Sequence, residues 1–250
     1  MFYSKYNFLF EPNSSQPFKL SRSKIDLFVE CPRCFYLDRR LGVKRPGGFP
    51  FTLNNAVDFL LKKEFDTHRA AGKAHPLMEQ YGIKAVPFQH EKMDQWRHNF
   101  EGVQYLHQST NFLIFGAIDD IWLSNDNELI VVDYKATSVN KEVTLDDEWK
   151  VVYKRQMEIY QWLMRHSPDF ADHKVSDTGY FVYVNGKTDS QAFDAKLEFD
   201  VNVLPYKGDD SWVEDKVTEA YQCLSADVIP ESGKNCEYCQ YRARARQKEE

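Results

Sequence analysis

Two Cys-x-x-Cys pairs stand about 200 residues apart, Cys31-Pro32-Arg33-Cys34 early in the chain and Cys236-Glu237-Tyr238-Cys239 late in it. Each pair holds two sulfurs at the spacing that zinc or an iron–sulfur cluster demands, so together they can close one four-thiolate site. A chain that closes it must bring its N- and C-terminal segments side by side, whatever lies between. Cys223 stands apart, and an odd number of cysteines clustered in this way favours metal or redox chemistry over structural disulfides. The competing reading is four reduced thiols, with Cys34 packed as a small hydrophobe on a helix face. Cys223 is assigned to the core.

With 250 residues, 42% of them hydrophobic, the chain suffices for one sizeable domain or a domain with appendages. The net charge of −6 speaks to solubility and steering and excludes no partner, because a local basic surface can coexist with it. The opening MFYSKYNFLFEPNSS lacks a basic start followed by a long apolar core. No later run approaches the ~18 apolar residues of a membrane span, so a cytoplasmic protein without membrane contact is expected.

Ser21 to Leu41 reads as helix with a break near Cys31, since Pro32 suits a first turn and not an interior. Lys44 to Phe51 is a loop, and Thr52 to Arg69 has the three-four apolar spacing of a helix with one buried face. β-Branched and aromatic residues from Val103 to Ala136 predict a meander ending in a hairpin, with turn residues Ser124 to Asn127. Helical spacing returns from Asp146 to His166. Strands are expected near Gly179 to Asn185 and Ala195 to Val203, and a last helix from Trp212 to Leu224. The order points to an α/β core with a mixed sheet.

The hairpin carries charge where a core should be. Asp133 and Lys135 share one face of their strand while Val132 and Tyr134 point the other way. With the turn centred near Asp126, partners are residues whose numbers sum to about 252, which sets Asp119 opposite Asp133. Two carboxylates this close need a cation, a proton or the lysine between them, and oxygen ligands of this kind suit Mg²⁺ or Mn²⁺. An ordinary Asp–Lys pair at a partly exposed strand end is the plainer alternative. On the following helix Gln156 and Tyr160 lie one turn apart, on the apolar face with Trp149, Tyr153 and Leu163. A buried amide needs a polar partner, and the hairpin site is the nearest, unless the Gln156 head reaches water.

Gly116-x-x-Asp119, Asp133-Tyr134-Lys135 and Gln156-x-x-x-Tyr160, in this order, resemble the catalytic motifs of the PD-(D/E)XK nucleases, in particular the RecB-like branch with its CRISPR-associated exonucleases. The resemblance runs from Ser21 to Arg242. It implies a restriction-endonuclease-like core, a central mixed β-sheet flanked by helices, with residues 1–250 as a single nuclease-like domain. It also implies that Asp119 and Asp133 bind Mg²⁺ or Mn²⁺, that Lys135 positions or activates the attacking water, and that Gln156 and Tyr160 organise the site and contact DNA. The family's usual histidine on an earlier helix falls here on Asp58, a carboxylate that can also ligate the metal; Glu64 is the fallback, and His68 a weaker one. Family members with iron–sulfur clusters draw one cysteine from an N-terminal Cys-Pro-Arg and three from the C-terminal segment. Cys31, Cys236 and Cys239 match, but no cysteine stands near Ala245. Cys34 then becomes the fourth ligand, and residues 21–45 and 226–246 a cysteine-ligated subregion holding a rearranged cluster or Zn²⁺.

The expected activity is hydrolysis of DNA phosphodiester bonds, as an exonuclease on single-stranded or frayed ends, in repair, recombination or CRISPR adaptation. No phosphate-binding Gly-Lys-Ser/Thr loop is present, so any unwinding belongs to a helicase partner. Arg33, Arg39, Arg40, Lys44 and Arg45 with Arg242, Arg244 and Arg246 form a candidate phosphate-binding patch, with Tyr36, Phe49 or Phe51 stacking on bases. The alternatives are a nucleic-acid-binding adaptor of the same fold with a crippled metal site, and a structural zinc domain.

Overall fold

The computed structural model describes residues 9–49 and 51–249; Pro50, inside the expected loop, and most of the opening segment read above lie outside them. In chain order these residues form β1 (Phe18–Ser21), α1 (Arg22–Glu30), α2 (Pro32–Arg39), α3 (Thr52–Ala71), α4 (Pro76–Gln80), β2 (Ala85–Pro87), α5 (Met93–Arg97), β3 (Val103–His107) and β4 (Phe112–Gly116). There follow β5 (Asp120–Ser124), β6 (Glu128–Thr137), a 3₁₀ turn (Glu148–Lys150), α6 (Val151–His166), a second such turn (Pro168–Phe170), β7 (Lys174–Val175), β8 (Thr178–Gly186), β9 (Phe199–Lys207), α7 (Val213–Ser225) and α8 (Glu237–Glu249). The break between α1 and α2 falls at Cys31, which is extended at φ −157° and caps α2 by accepting the Cys34 N–H on its sulfur. Pro32 then occupies the first helical position, where its missing N–H costs nothing.

The chain folds into two compact units, one from Met1–Gly48, Gln104–Phe115 and Ser211–Glu250, the other from Phe49–Val103 and Gly116–Asp210. In the first, a three-stranded sheet has the order β1–β4–β3, with β1 parallel to β4. Its core includes Phe10, Phe18 and Phe112, with half-buried Tyr221 against them, and these rings meet mostly edge to face, the arrangement their quadrupoles favour.

In the second unit, a central six-stranded mixed sheet has the order β2–β5–β6–β8–β9, with β7 also paired to β6. β5–β6 and β8–β9 are antiparallel and β6–β8 is parallel. Helices flank this sheet, giving the mixed α/β architecture of a restriction-endonuclease-like core. Alternation along β6 decides what each face carries. Ile130, Val132 and Tyr134 pack with Leu61 and Phe65 of α3, while Asp133 faces Gln156 of α6.

The expected meander from Val103 to Ala136 divides. β3 and β4 pair with each other in the three-stranded sheet, where β4 also takes the distant β1 as a partner, and β5–β6 forms the expected last hairpin in the other sheet. Trp149, expected on the buried stripe of α6, is exposed, because the α-helix starts only at Val151 and Trp149 lies in the preceding 3₁₀ turn.

Candidate active site

The hairpin register is the first determinant of the site. Asp120 pairs with Val132, a sum of 252, so Asp119 stands at the end of the ladder opposite Asp133, as the turn symmetry predicts. Asp119 Oδ2 accepts the Tyr134 N–H at 3.0 Å, a bond across the hairpin that fixes the carboxylate where the ladder ends. Asp133 is fully buried and ion-paired to Lys135. A buried carboxylate is stable there because its charge is compensated within contact distance.

From α6, Gln156 answers the question of its own burial. Its Nε2 donates to Asp133 Oδ1 at 2.7 Å, while its Oε1 accepts from Lys135 Nζ at 3.4 Å. The amide thus satisfies the carboxylate and the ammonium together. The Tyr160 hydroxyl lies 3.4 Å from the same Nε2. Lys135 Nζ also sits 4.7 Å above the Tyr153 ring, a cation–π contact.

From α3 come Asp58 and Lys62, one turn apart. Lys62 Nζ lies 2.9 Å from Asp58 Oδ2 and 3.1 Å from Asp119 Oδ1. The structure therefore brings Asp58, Asp119, Asp133, Lys135, Gln156 and Tyr160 into one connected set. Glu64 and His68, the alternatives to Asp58, are elsewhere engaged: Glu64 pairs with His75 at 2.9 Å and His68 Nδ1 meets the Ala74 carbonyl at 3.1 Å. Sequence reading missed Lys62; its signal was the i, i+4 spacing from Asp58, which also describes an ordinary surface pair.

The charges tune one another. Burial pushes Asp119 up, but Lys62, Lys135 and the Tyr134 N–H outweigh it and hold the carboxyl below its ordinary value. Burial and the Asp119 charge push Asp58 up. Lys135 is held above its ordinary value by Asp133 and Asp119 despite burial, so its charged form dominates. Asp58, Asp119 and Asp133 supply hard carboxylate oxygens, the donor chemistry that suits Mg²⁺ or Mn²⁺, while among the described residues the His/Cys/Asp/Glu group whose ligand atoms already lie within 4.8 Å of one another is that of the cysteines.

The four cysteines meet within the first unit, their sulfurs all within 4.8 Å of one another. Cys31 and Cys239 sulfurs are 3.8 Å apart, and Cys34 lies 3.6 Å from both Cys236 and Cys239. A tetrahedral ion with Zn–S bonds of about 2.3 Å sets its sulfurs ~3.8 Å apart. In a four-iron cluster each thiolate binds a different iron, which spreads the sulfurs wider. The group thus fits one small metal ion. Burial opposes ionisation of Cys31, yet the Gly233 and Cys34 N–H groups bring it down to about 7. Arg45 donates to the Cys236 sulfur at 3.3 Å. Cys223, on α7, is outside this group, and burial raises it to about 11.

Four members of the basic patch have partners within the protein, while Arg242, Arg244 and Arg246 are exposed on α8. Arg33 donates to the Pro230 carbonyl, Arg40 to that of Phe10, Arg39 pairs with buried Asp38, and Arg45 pairs with Glu30. Tyr36 is buried, its hydroxyl on the Ala226 carbonyl, so it cannot stack on a base. Phe49 and Phe51 are exposed.

The profile of the PD-(D/E)XK nuclease superfamily matches residues 52–244, more than half of the chain. Among solved structures, the chain is similar to SSO0001 at 15% identity, covering 94% of this chain and 86% of that one with a TM-score of 0.43. It is also similar to a "Putative exonuclease" from Eubacterium rectale at 11% identity, covering 89% and 87%, with a TM-score of 0.42. No curated protein matches it.

Proposed function

This chain belongs to the PD-(D/E)XK nuclease superfamily, and from that premise we propose that it is a metal-dependent DNA nuclease acting as an exonuclease on single-stranded or frayed ends. The observation that carries the reading is the convergence of Asp119 and Asp133 across the hairpin with Lys135 and Gln156 closing the set. Assignment to the RecB-like branch, and use in repair, recombination or CRISPR adaptation, rest on the motif spacing alone.

In this reading Asp119, Asp133 and Asp58 hold Mg²⁺ or Mn²⁺. When bound, such an ion polarises the phosphate, acidifies its water and stabilises the leaving oxygen. Lys135, paired with Asp133 beside the same site, is placed to position or activate the attacking water and to offset phosphate charge. Gln156 keeps Asp133 and Lys135 in place by bonding to both. Tyr160, buried beside Gln156, braces that amide. At the four cysteines we propose a single structural Zn²⁺.

The test is cleavage of end-labelled linear DNA and of covalently closed single-stranded circles, in Mg²⁺, in Mn²⁺ and in chelator. The expected result is metal-dependent loss of the linear substrate with the circles intact. Absence of cleavage in both metals, by a folded protein, would overturn the nuclease reading in favour of a binding module, and cut circles would overturn the exonuclease mode.

A further inference from the structure

Lys62 is a cation of the site that the motifs do not account for. Its Nζ lies 2.9 Å from Asp58 and 3.1 Å from Asp119, so the ammonium bridges two carboxylates that come from different elements. A divalent ion bound by the same two oxygens would compete with that ammonium for them. Lys135 is not in that position, since its ammonium is paired to Asp133 and lies over Tyr153. An ammonium and a dication cannot share one point, and they repel strongly at ion-pair distance in a half-buried site. Lys62 has somewhere to go. Its side chain is 21% exposed, its four-carbon stem is flexible, and it lines a cleft of about 340 Å³ together with Asn54, Asn99 and Tyr153.

We propose that Lys62 is a resident cation of the metal pocket: it bridges Asp58 and Asp119 until a divalent ion displaces it, and so sets how much metal the protein needs. This rests on the reading of Asp58 and Asp119 as metal ligands. In the metal-free protein the bridge keeps two facing carboxylates from repelling each other. When a divalent ion enters, the ammonium leaves towards the cleft, where a nucleic-acid phosphate is a suitable new partner. The sign of the effect is distinctive. A lysine that supports the site would weaken metal binding when removed, whereas a resident cation strengthens it when removed.

The experiment is calorimetric titration of Mn²⁺ into the full chain, for wild type, Lys62→Met, Lys62→Gln and Asp119→Asn. Lys62→Met is expected to bind Mn²⁺ about tenfold more tightly than wild type, since one positive charge is gone from ion-pair distance. Asp119→Asn is expected to lose that binding. If Asp119→Asn abolishes binding but both Lys62 variants bind as wild type or more weakly, the role of Lys62 is overturned and the ligand assignment stands. If Asp119→Asn binds as wild type, or wild type does not bind at all, the ligand assignment fails and takes this inference with it. A second measurement needs no variant: acetylation of wild type read by mass spectrometry with and without Mg²⁺. Expulsion raises labelling of Lys62 several-fold over the metal-free rate, whereas unchanged or slower labelling contradicts it.

Discussion

Asp119 and Asp120 are neighbours with opposite fates. Asp120 is fully buried, and its Oδ1 accepts from Arg69, from Arg97 at 3.2 Å and from the Ile121 N–H at 2.8 Å. Its Oδ2 accepts the Tyr134 hydroxyl at 2.7 Å. Arg97 also donates to the Asp119 carbonyl at 2.9 Å, so this satisfied network anchors the backbone from which Asp119 projects. Removing Asp120 leaves Arg69 and Arg97 with the half-exposed Asp66 as their remaining carboxylate partner; Asp120→Ala is expected to cost about 3 kcal/mol in urea unfolding, and Tyr134→Phe only about 1 kcal/mol. Equal costs would contradict the network. Asp119, Asp133 and Lys135 were legible because strand alternation and hairpin symmetry place them without tertiary information. Lys62 was not, because its bridge depends on where α3 lies against the hairpin, which spacing along one helix cannot give.

At the scale of elements, the link from α3 to α4 is set by one histidine. His75 caps α4 by accepting the Leu77 N–H on Nδ1 at 3.1 Å, and its Nε2 meets Glu64 at 2.9 Å. The ring stacks on Phe65 at 4.2 Å. Burial pushes His75 below its ordinary value, against the pull of Glu64. A depressed folded-state pKa means that the unfolded chain binds more protons, so this contribution is complete above the unfolded value of about 6.5 and is lost as pH falls below it. Thermal unfolding between pH 7.5 and 5.5 is expected to show Tm falling with acid in wild type, and a flatter profile in His75→Asn, which keeps a cap acceptor. Identical slopes would contradict the assignment. The long helices α3 and α6 and the β5–β6 hairpin were legible from periodicity. The strands β1, β2 and β7 were not, since each has at most four residues and pairs with a partner distant in sequence. Tyr36 was misread for a related reason, because helical spacing shows which residues share a face and not what covers it.

At the scale of the molecule, the first unit is assembled from three stretches of chain, and the cysteine group joins two of them. The cysteine spacing made that junction legible, but not the division into units, since both are discontinuous in sequence. α8 buries no residue of its own, so its attachment depends on Cys236, Cys239 and the Tyr238 ring, which Arg45 stacks upon at 4.6 Å. If the proposed zinc holds this segment, withdrawing it with a strong chelator releases it: limited proteolysis should then cut first between residues 226 and 235, and the purified protein should yield a single zinc per chain. Iron with visible absorption, or unchanged proteolysis after metal removal, would contradict the zinc assignment. The hairpin site with Asp119, Asp133 and Lys135 is tested most directly by the single-turnover rate of DNA cleavage in Mg²⁺ by wild type and by Lys135→Ala, with circular dichroism confirming that both are folded. The account predicts a rate about 10²–10³-fold lower in the variant, the effect of losing one positioned donor to a developing charge. A variant that cleaves as fast as wild type would contradict it.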